Sequence, residues 1–305
     1  MQPRLLLLLR AAMALCLALA AAGAQAALKV LACEPEWGAL VQELAGDKAT
    51  IYTATTGLQD PHHIQARPSL VAAARSSDLL VCTGAELEVG WLPVLIRQSG
   101  NGAIQPGKPG NFEAAAYVRK LEVPDRLDRA DGDVHAAGNP HIQTDPRNIL
   151  LVAEPLAQRL AELDPANAPA YRARWADFSS RWKAAIARWE KEAAPLRGVP
   201  IVVQHKAFPY LEQWLGLVQV AALEPKPGIE PTSTHLSAVL AGLQARPAKM
   251  ILRAAYNDGR AAEWLAERSK LPIVVLPFTV GGDEQAKDMF SLFDDTIQRL
   301  LKALP

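Results

Sequence analysis

The sequence of 305 residues has only three cysteines and six histidines, and it contains neither a Cys-x-x-Cys pair nor a His-Glu-x-x-His motif. The first absence argues against a thiolate zinc site, and the second argues against the metalloprotease helix. Lysine plus arginine and aspartate plus glutamate each number 32, so the formal net charge is +0. Without an excess of positive charge, no electrostatic field favours binding to nucleic acid or to an anionic membrane.

Long hydrophobic runs are also scarce, and the one that is present lies at the N-terminus. A basic start at Arg4, an apolar middle and the ending Ala24-Gln25-Ala26 predict a cleaved secretory signal peptide over residues 1–26. The small-x-small ending and the lack of another long apolar stretch disfavour a transmembrane anchor. Leu15, rather than a small residue, precedes Cys16, so a lipoprotein signal is not indicated. We therefore expect a soluble protein in the periplasm.

Removal of this segment leaves two cysteines, Cys33 and Cys82, in a compartment where disulfides persist. Each ends a short apolar run that predicts a buried parallel strand, so both could lie at the same edge of neighbouring strands. A disulfide is the favoured interpretation. Two buried free thiols, or a thiolate metal site without the usual spacing, are the alternatives.

Short apolar runs alternate with helical patterns along the mature chain, which predicts an α/β fold with two parallel-sheet lobes. We place the N-terminal lobe at residues 27–165 and the C-terminal lobe at residues 197–305. Between them, aromatic residues recur at three- and four-residue steps and predict a linking helix over residues 166–196. Roughly 28 residues at about 1.5 Å each would span about 40 Å, so one stiff helix could run along both lobes and join them.

The segment from Gly100 to Asp133 is irregular and rich in glycine, proline and aspartate. Its one alternating stretch, Tyr117–Val123, is interpreted as a hairpin strand. This segment contains four aspartates, and a histidine follows it two residues later. They are Asp125, Asp128, Asp131, Asp133 and His135. A solvated loop with scattered acids is the simpler interpretation, and a flexible arm that transiently captures metal is the alternative.

Three of the six histidines stand in separate sequence frames, which are Asp60-Pro61-His62, Asn139-Pro140-His141 and His205-Lys206-Ala207-Phe208. Each falls where a strand is expected to give way to a loop or a helix. In open α/β sheets, ligands bind at the carboxyl ends of the strands, in the crevice that helix packing leaves open. We therefore expect the three imidazoles to meet in a metal site between the lobes.

The donor type bears on the metal. Imidazole nitrogens suit Zn²⁺, whereas Ca²⁺ and Mg²⁺ prefer oxygen, so the sequence predicts zinc first. Manganese takes more oxygen ligands and would need carboxylates to complete its coordination. A proline before His62 and before His141 fixes the local backbone, and Asp60 or Asn139 can bond nearby amides or the second ring nitrogen.

These frames and their surroundings resemble the zinc and manganese solute-binding proteins of ABC transporters. The resemblance extends in order over nearly all of the mature chain, and its further motifs are Arg67-Pro68-Ser69, Thr144-Asp145-Pro146 and Glu224-Pro225. It implies that His62, His141 and His205 bind the metal in a cleft between two lobes tied by a rigid helix. It also implies a protein that is not an enzyme, and that delivers its metal as a monomer to a permease in the inner membrane. A periplasmic metallochaperone is a further possible partner.

The fourth ligand is where this chain departs from the resemblance. Many relatives have an aspartate in a loop before the last helix, and here the loop offers Asp283, which we predict as the fourth ligand. Glu284, a water molecule or His63 are the alternatives. The long histidine-rich loop of many zinc-specific relatives is absent, and the acidic segment with His135 occupies the comparable place.

Two other classes of protein remain as rivals at this point. A periplasmic zinc hydrolase would keep an exchangeable water and would use Asp283 or Glu284 as its general base. A two-lobed binder of an organic ligand, such as a siderophore or a corrinoid, would need an aromatic or arginine-lined cleft. The clustered aromatics of this chain are instead predicted to lie on the linking helix.

Overall fold

The computed structural model describes residues 26–126, residue 132 and residues 135–304. The predicted signal peptide therefore lies outside the described residues apart from Ala26, and so do Asp128, Asp131 and Asp133 of the irregular segment. In the described part of the chain, no helix is both long and apolar enough to cross a membrane.

The N-terminal lobe is built on a sheet of four parallel strands in the order β2-β1-β3-β4. The strands are β1 (Leu28–Ala32), β2 (Ala49–Thr53), β3 (Leu79–Cys82) and β4 (Asn111–Glu113), and the helices are α1 (Pro35–Ala45), α2 (Pro68–Ser76) and α3 (Leu92–Ser99). Each of the three helices has a proline in its first turn, where the missing N–H costs no helical hydrogen bond. Every residue of β3 is buried, as expected for a parallel strand covered on both faces.

The strand predicted over Tyr117–Val123 is wrong. The fourth strand is β4, which lies before the predicted stretch in the sequence. Its central residue, Phe112, pairs with Val81 of β3. The chain then enters a 3₁₀ turn at Ala114–Tyr117. The apolar side chains of the predicted stretch do not share a buried face, because Tyr117 is 40% exposed and Val123 is 57% exposed. A strand of only three residues offers no periodicity from which it could have been found.

Two long helices follow, α4 (Pro146–Leu163) and α5 (Ala168–Glu192). The carboxylate of Asp145 caps α4 by accepting a hydrogen bond of 2.8 Å from the Arg147 amide. Helix α5 has 25 residues, which at about 1.5 Å each gives a length of about 37 Å. It packs along α1 and α4, and the Trp182 indole donates a hydrogen bond of 2.8 Å to the Pro146 carbonyl at the start of α4.

The C-terminal lobe repeats the architecture with four parallel strands in the order β6-β5-β7-β8. The strands are β5 (Pro200–Val203), β6 (Val218–Ala222), β7 (Met250–Ala254) and β8 (Ile273–Leu276), and the helices are α6 (Pro209–Leu215), α7 (Ser233–Gly242), α8 (Arg260–Ser269) and α9 (Met289–Lys302). The last helix begins at Met289, because Asp288 and Ser291 form a capping box there.

The two lobes share one apolar core along α5. Trp182 of α5 contacts two aromatic rings of α9, with centroid distances of 4.8 Å to Phe290 and 5.6 Å to Phe293. The outer face of each sheet is covered by a separate apolar cluster. The predicted fold class, two parallel-sheet α/β lobes joined by one long helix, is confirmed.

The predicted disulfide between Cys33 and Cys82 is present and joins the ends of β1 and β3. Both residues are buried in the outer apolar cluster of the N-terminal lobe. Their sulfur atoms lie near the Glu88 carboxylate, but a disulfide offers no thiolate to a metal, which removes the alternative of a thiolate site in this oxidised form.

Candidate metal site between the lobes

His62 lies in the loop after β2, and its own backbone frame holds it in place. Asp60 Oδ1 accepts a hydrogen bond of 3.0 Å from the His62 amide and lies 2.7 Å from His62 Nδ1. The Trp91 indole donates to the Pro61 carbonyl at 2.8 Å, which ties the loop to α3. The other ring nitrogen, Nε2, is buried and has no hydrogen-bond partner among the described residues. It is therefore available as a donor to a metal.

His141 precedes the 3₁₀ turn Ile142–Thr144 that leads into α4. Its frame repeats that of His62, because Asn139 Oδ1 accepts a hydrogen bond of 3.0 Å from the His141 amide. The Asn139 side chain also donates to the Lys206 carbonyl at 2.9 Å, which links the N-terminal lobe to the third histidine frame. Asn139 thus positions His141 and holds the two lobes together at the site.

His205 follows β5 at the carboxyl edge of the second sheet. Its Nδ1 lies 2.7 Å from Glu224 Oε2, and the same oxygen accepts a hydrogen bond of 2.7 Å from the Gly228 amide. Carboxylates behind His62 and His205 fix the ring orientation and leave the opposite nitrogen for a metal. Asp60 and Asn139 were expected to bond nearby amides or the second ring nitrogen. Asp60 does both, and Asn139 bonds the backbone amide of His141.

The three histidines meet in one compact group, in which the ligating atoms all lie within 4.8 Å of one another. Their side chains are buried, with 8%, 1% and 7% exposure for His62, His141 and His205. The ring centroids are separated by 5.3, 5.9 and 5.7 Å. Imidazoles around one tetrahedral zinc ion, with Zn–N bonds of about 2.0–2.1 Å, would have centroids about 5 Å apart. The spacing therefore fits a single ion bound by all three rings.

The electrostatics of the group favour neutral imidazole at its centre. Burial, reinforced by the neighbouring rings of His62, His205 and His135, holds the pKa of His141 well below its usual range. Burial by itself would raise the pKa of Asp60. The hydrogen bond with His62 and the charge of His62 outweigh that effect, so the pKa of Asp60 is lowered. A neutral ring nitrogen is the form that binds a metal.

Asp283, the predicted fourth ligand, lies outside this group. Its Oδ1 accepts hydrogen bonds from the amides of Gln285 and Ala286, at 2.8 and 2.9 Å, and its Oδ2 accepts a charged hydrogen bond from Arg299. Although burial opposes the shift, these amides and the Arg299 charge lower the pKa of Asp283. Its carboxylate is thus engaged by the C-terminal lobe itself. The two other candidates, Glu284 and His63, are exposed.

Two residues beside the site were not anticipated from the sequence. Phe278 stacks edge-on against His141 with a centroid distance of 5.4 Å. The Tyr256 hydroxyl is buried without a hydrogen-bond partner among the described residues. Burial, then the charges of Asp60 and Glu224, raise the pKa of Tyr256 well above its usual range, so the phenol stays protonated. Nothing in the local sequence of either residue distinguishes it from an ordinary core aromatic.

A cavity of about 320 Å³ opens above the group, at the mouth of the cleft. His141 and His205 line its floor, and His135, Glu122, Arg126 and Lys206 are among the residues of its wall. Glu122 also accepts a hydrogen bond of 3.0 Å from Asn139. The cavity is wide enough for a hydrated ion to reach the imidazoles.

Comparison with known proteins is decisive at this point, because a family model described as zinc-uptake complex component A, periplasmic, matches residues 30–303. The chain belongs to this family. The resemblance inferred from the histidine frames, to metal-binding solute-binding proteins, is thereby confirmed. The match includes all three histidine frames and both lobes.

Individual relatives are distant but are matched over most of their length. The manganese ABC transporter substrate-binding lipoprotein PsaA of Streptococcus mitis is 22% identical over 276 residues, which cover 88% of this chain and 85% of the relative. The metal ABC transporter substrate-binding lipoprotein SloC of Streptococcus mutans is 21% identical over 258 residues, covering 82% and 81%.

Solved structures show the same fold. A crystal structure of ZnuA covers 92% of this chain and 100% of its own, with a TM-score of 0.76 and 21% identity. The solute-binding protein FpvC of Pseudomonas aeruginosa, solved in complex with Ni²⁺, covers 91% and 97%, with a TM-score of 0.73 and 22% identity. At these identities the structural likeness establishes the fold and leaves the ion open.

Proposed function

We propose that this chain captures zinc in the periplasm and delivers it to an ABC-type permease in the inner membrane, acting as a binding protein and not as an enzyme. The observation that carries the proposal is the group formed by His62, His141 and His205, three buried imidazoles within 4.8 Å of one another. Family membership supports the transport role, since members of this family serve as substrate-binding components of metal ABC transporters.

The donor chemistry favours zinc within that role. The relatives are named for manganese or for metal in general, and FpvC has been solved with both nickel and manganese, so family membership alone leaves the ion open. The group in this chain presents nitrogen atoms, with its nearest carboxylates behind the rings on Asp60 and Glu224. Nitrogen donors suit zinc, whereas manganese prefers a shell rich in oxygen.

The surroundings of the site favour binding over hydrolysis. A hydrolase would need a general base beside a metal-bound water. The hydrolase hypothesis would use Asp283 or Glu284 as that base. Asp283 is engaged by Arg299 and two backbone amides, and Glu284 is exposed.

The metal content of the protein purified without chelator tests the proposal. We expect about one zinc ion per chain in the native protein and almost none in the His62→Ala/His141→Ala/His205→Ala variant, because the ion loses all three imidazoles. His235→Ala is the matched control, since His235 lies in α7 and its Nε2 is 3.2 Å from the Ala222 carbonyl. Equal zinc content in the native chain and the triple variant would refute the proposal.

A second measurement tests delivery. Cells that carry the chain and its permease should accumulate radioactive zinc from limiting medium, and the triple variant should abolish this uptake. Unchanged zinc uptake in the triple variant would show that transport does not depend on the three histidines, and would contradict the proposed role in delivery.

A further inference from the structure

The three-histidine group leaves one coordination position of a tetrahedral ion without a protein donor. The carboxylate that the sequence suggested, on Asp283, accepts three hydrogen bonds within its own lobe. Moving it to the metal would break its ion pair with Arg299 and would leave two amides without their acceptor.

His135 lies closer. Its ring stacks on that of His62, with a centroid distance of 5.4 Å and an interplanar angle of 27°. This separation falls within the range of 5.3 to 5.9 Å that separates the three grouped rings from one another. His135 also lines the cavity whose floor is formed by His141 and His205. The ring therefore stands over the open side of the site.

We propose that His135 is the fourth metal donor, and that a site of four imidazoles selects zinc against manganese. This inference rests on the proposed function, since it concerns the same ion in the same cleft. In the structure His135 stacks on one ring and stands outside the group of three, so metal binding would draw it a short distance inward over the cavity.

The charges around the group suit a shell of neutral donors. Four neutral imidazoles would not balance the charge of a divalent cation. A carboxylate oxygen of Asp60 lies 2.7 Å from His62 Nδ1, and one of Glu224 lies 2.7 Å from His205 Nδ1. These two carboxylates balance the charge of the ion without contacting it. An all-nitrogen shell suits zinc better than manganese, which prefers oxygen donors.

Three proteins test the inference: the native chain, His135→Ala and Asp283→Asn. Zinc affinity is measured by competition with a chromogenic chelator, manganese affinity by titration, and the number of bound imidazoles by zinc-edge X-ray absorption. We expect His135→Ala to weaken zinc binding at least tenfold, to lower the zinc-to-manganese affinity ratio at least tenfold, and to reduce the imidazole count from about four to three. Asp283→Asn should stay within about twofold of the native chain, because the amide keeps one oxygen for the backbone donors.

The outcomes separate this inference from the proposed function. Native protein that binds zinc through three imidazoles, with an affinity unchanged in His135→Ala, would overturn the role of His135 and leave the proposed function intact. Loss of zinc affinity in Asp283→Asn alone would overturn it in favour of the carboxylate. Native protein that binds no zinc would overturn both. His135 is only partly buried, so its replacement by alanine is not expected to unfold the chain.

Discussion

His205 Nδ1 lies 2.7 Å from a carboxylate oxygen of Glu224, a residue 19 positions further along the chain. The pair joins the end of β5 to the segment that follows β6, two strands that neighbour each other in the second sheet. The same oxygen is held by the Gly228 amide, so the carboxylate is itself fixed. In the tautomer that donates from Nδ1 to Glu224, the neutral His205 ring keeps its Nε2 lone pair for a metal in the cleft.

Replacement of Glu224 by glutamine should therefore weaken zinc binding without removing a ligand. We expect the affinity to fall about 10- to 100-fold, the usual effect of losing a partner behind a metal-bound histidine. Competition with a chelator measures the change. Glu230→Gln is the control, since Glu230 is exposed in the same connection, and an equal effect of both variants would contradict the assigned role of Glu224.

A buried pair of carboxyl groups should make the stability of the N-terminal lobe depend on pH. Glu34 is 3% exposed and Glu88 is 2% exposed, and the Thr83 amide donates to both, at 3.3 and 2.7 Å. Burial, then the charges of Glu88 and Glu36, raise the pKa of Glu34 well above its usual range. Glu34 is therefore protonated in the folded chain at pH values where the unfolded chain has released the proton.

The sign of the effect follows from proton binding. Above the unfolded pKa of Glu34 the folded state holds more protons, so this residue contributes less stability as the pH rises toward its folded pKa. Glu34→Gln mimics the protonated acid, and its free energy of unfolding should exceed that of the native chain by about 1–3 kcal/mol at pH 8 and by less at pH 5. Urea unfolding at both pH values measures this difference. Parallel pH dependences would contradict it, and the exposed Glu154→Gln is the control.

The loop that carries His62 also needs close backbone contact with the other lobe. Gly57 packs against Gly281 and Gly282, and a Cβ atom at Gly57 would overlap their backbone. Gly57→Ala should destabilise the chain by about 1–3 kcal/mol through overpacking, and should weaken zinc binding by displacing the His62 loop. Gly102→Ala is the control, because a Cβ at Gly102 meets only open space. Equal stability and affinity in the two variants would contradict this packing argument.

The disulfide should stabilise the fold without taking part in metal binding. Cys33 and Cys82 are separated by 49 positions, and for a loop of this size the entropy of the unfolded chain predicts about 4 kcal/mol. The double variant Cys33→Ala/Cys82→Ala should lose about 2–5 kcal/mol in urea unfolding and should keep its zinc stoichiometry. A loss below about 1 kcal/mol, or a loss of zinc from the folded variant, would contradict this account.

Much of the fold could be predicted because its signals are local. The linking helix was predicted from the aromatic residues that recur along it, and α5 (Ala168–Glu192) lies within the predicted residues 166–196. The three histidines were found for the same reason, because each frame fixes its own backbone. In two of them, Asp60 and Asn139 bond the amide two residues later.

The features that were missed depend on contacts distant in sequence. The ion pair of Asp283 with Arg299 joins residues 16 positions apart, and a pattern-based search could not anticipate it. Strand β4 is defined only by its pairing with β3. The position of Tyr256 beside Asp60 and Glu224 exists only in the folded chain.

The central claim is that one ion lies among His62, His141 and His205, and a crystal structure of the zinc-loaded chain with anomalous data at the zinc edge tests it most directly. We predict one strong anomalous peak about 2.0–2.1 Å from a nitrogen of each of the three histidines. A peak bound by other residues, or no peak in protein exposed to equimolar zinc, would contradict the account.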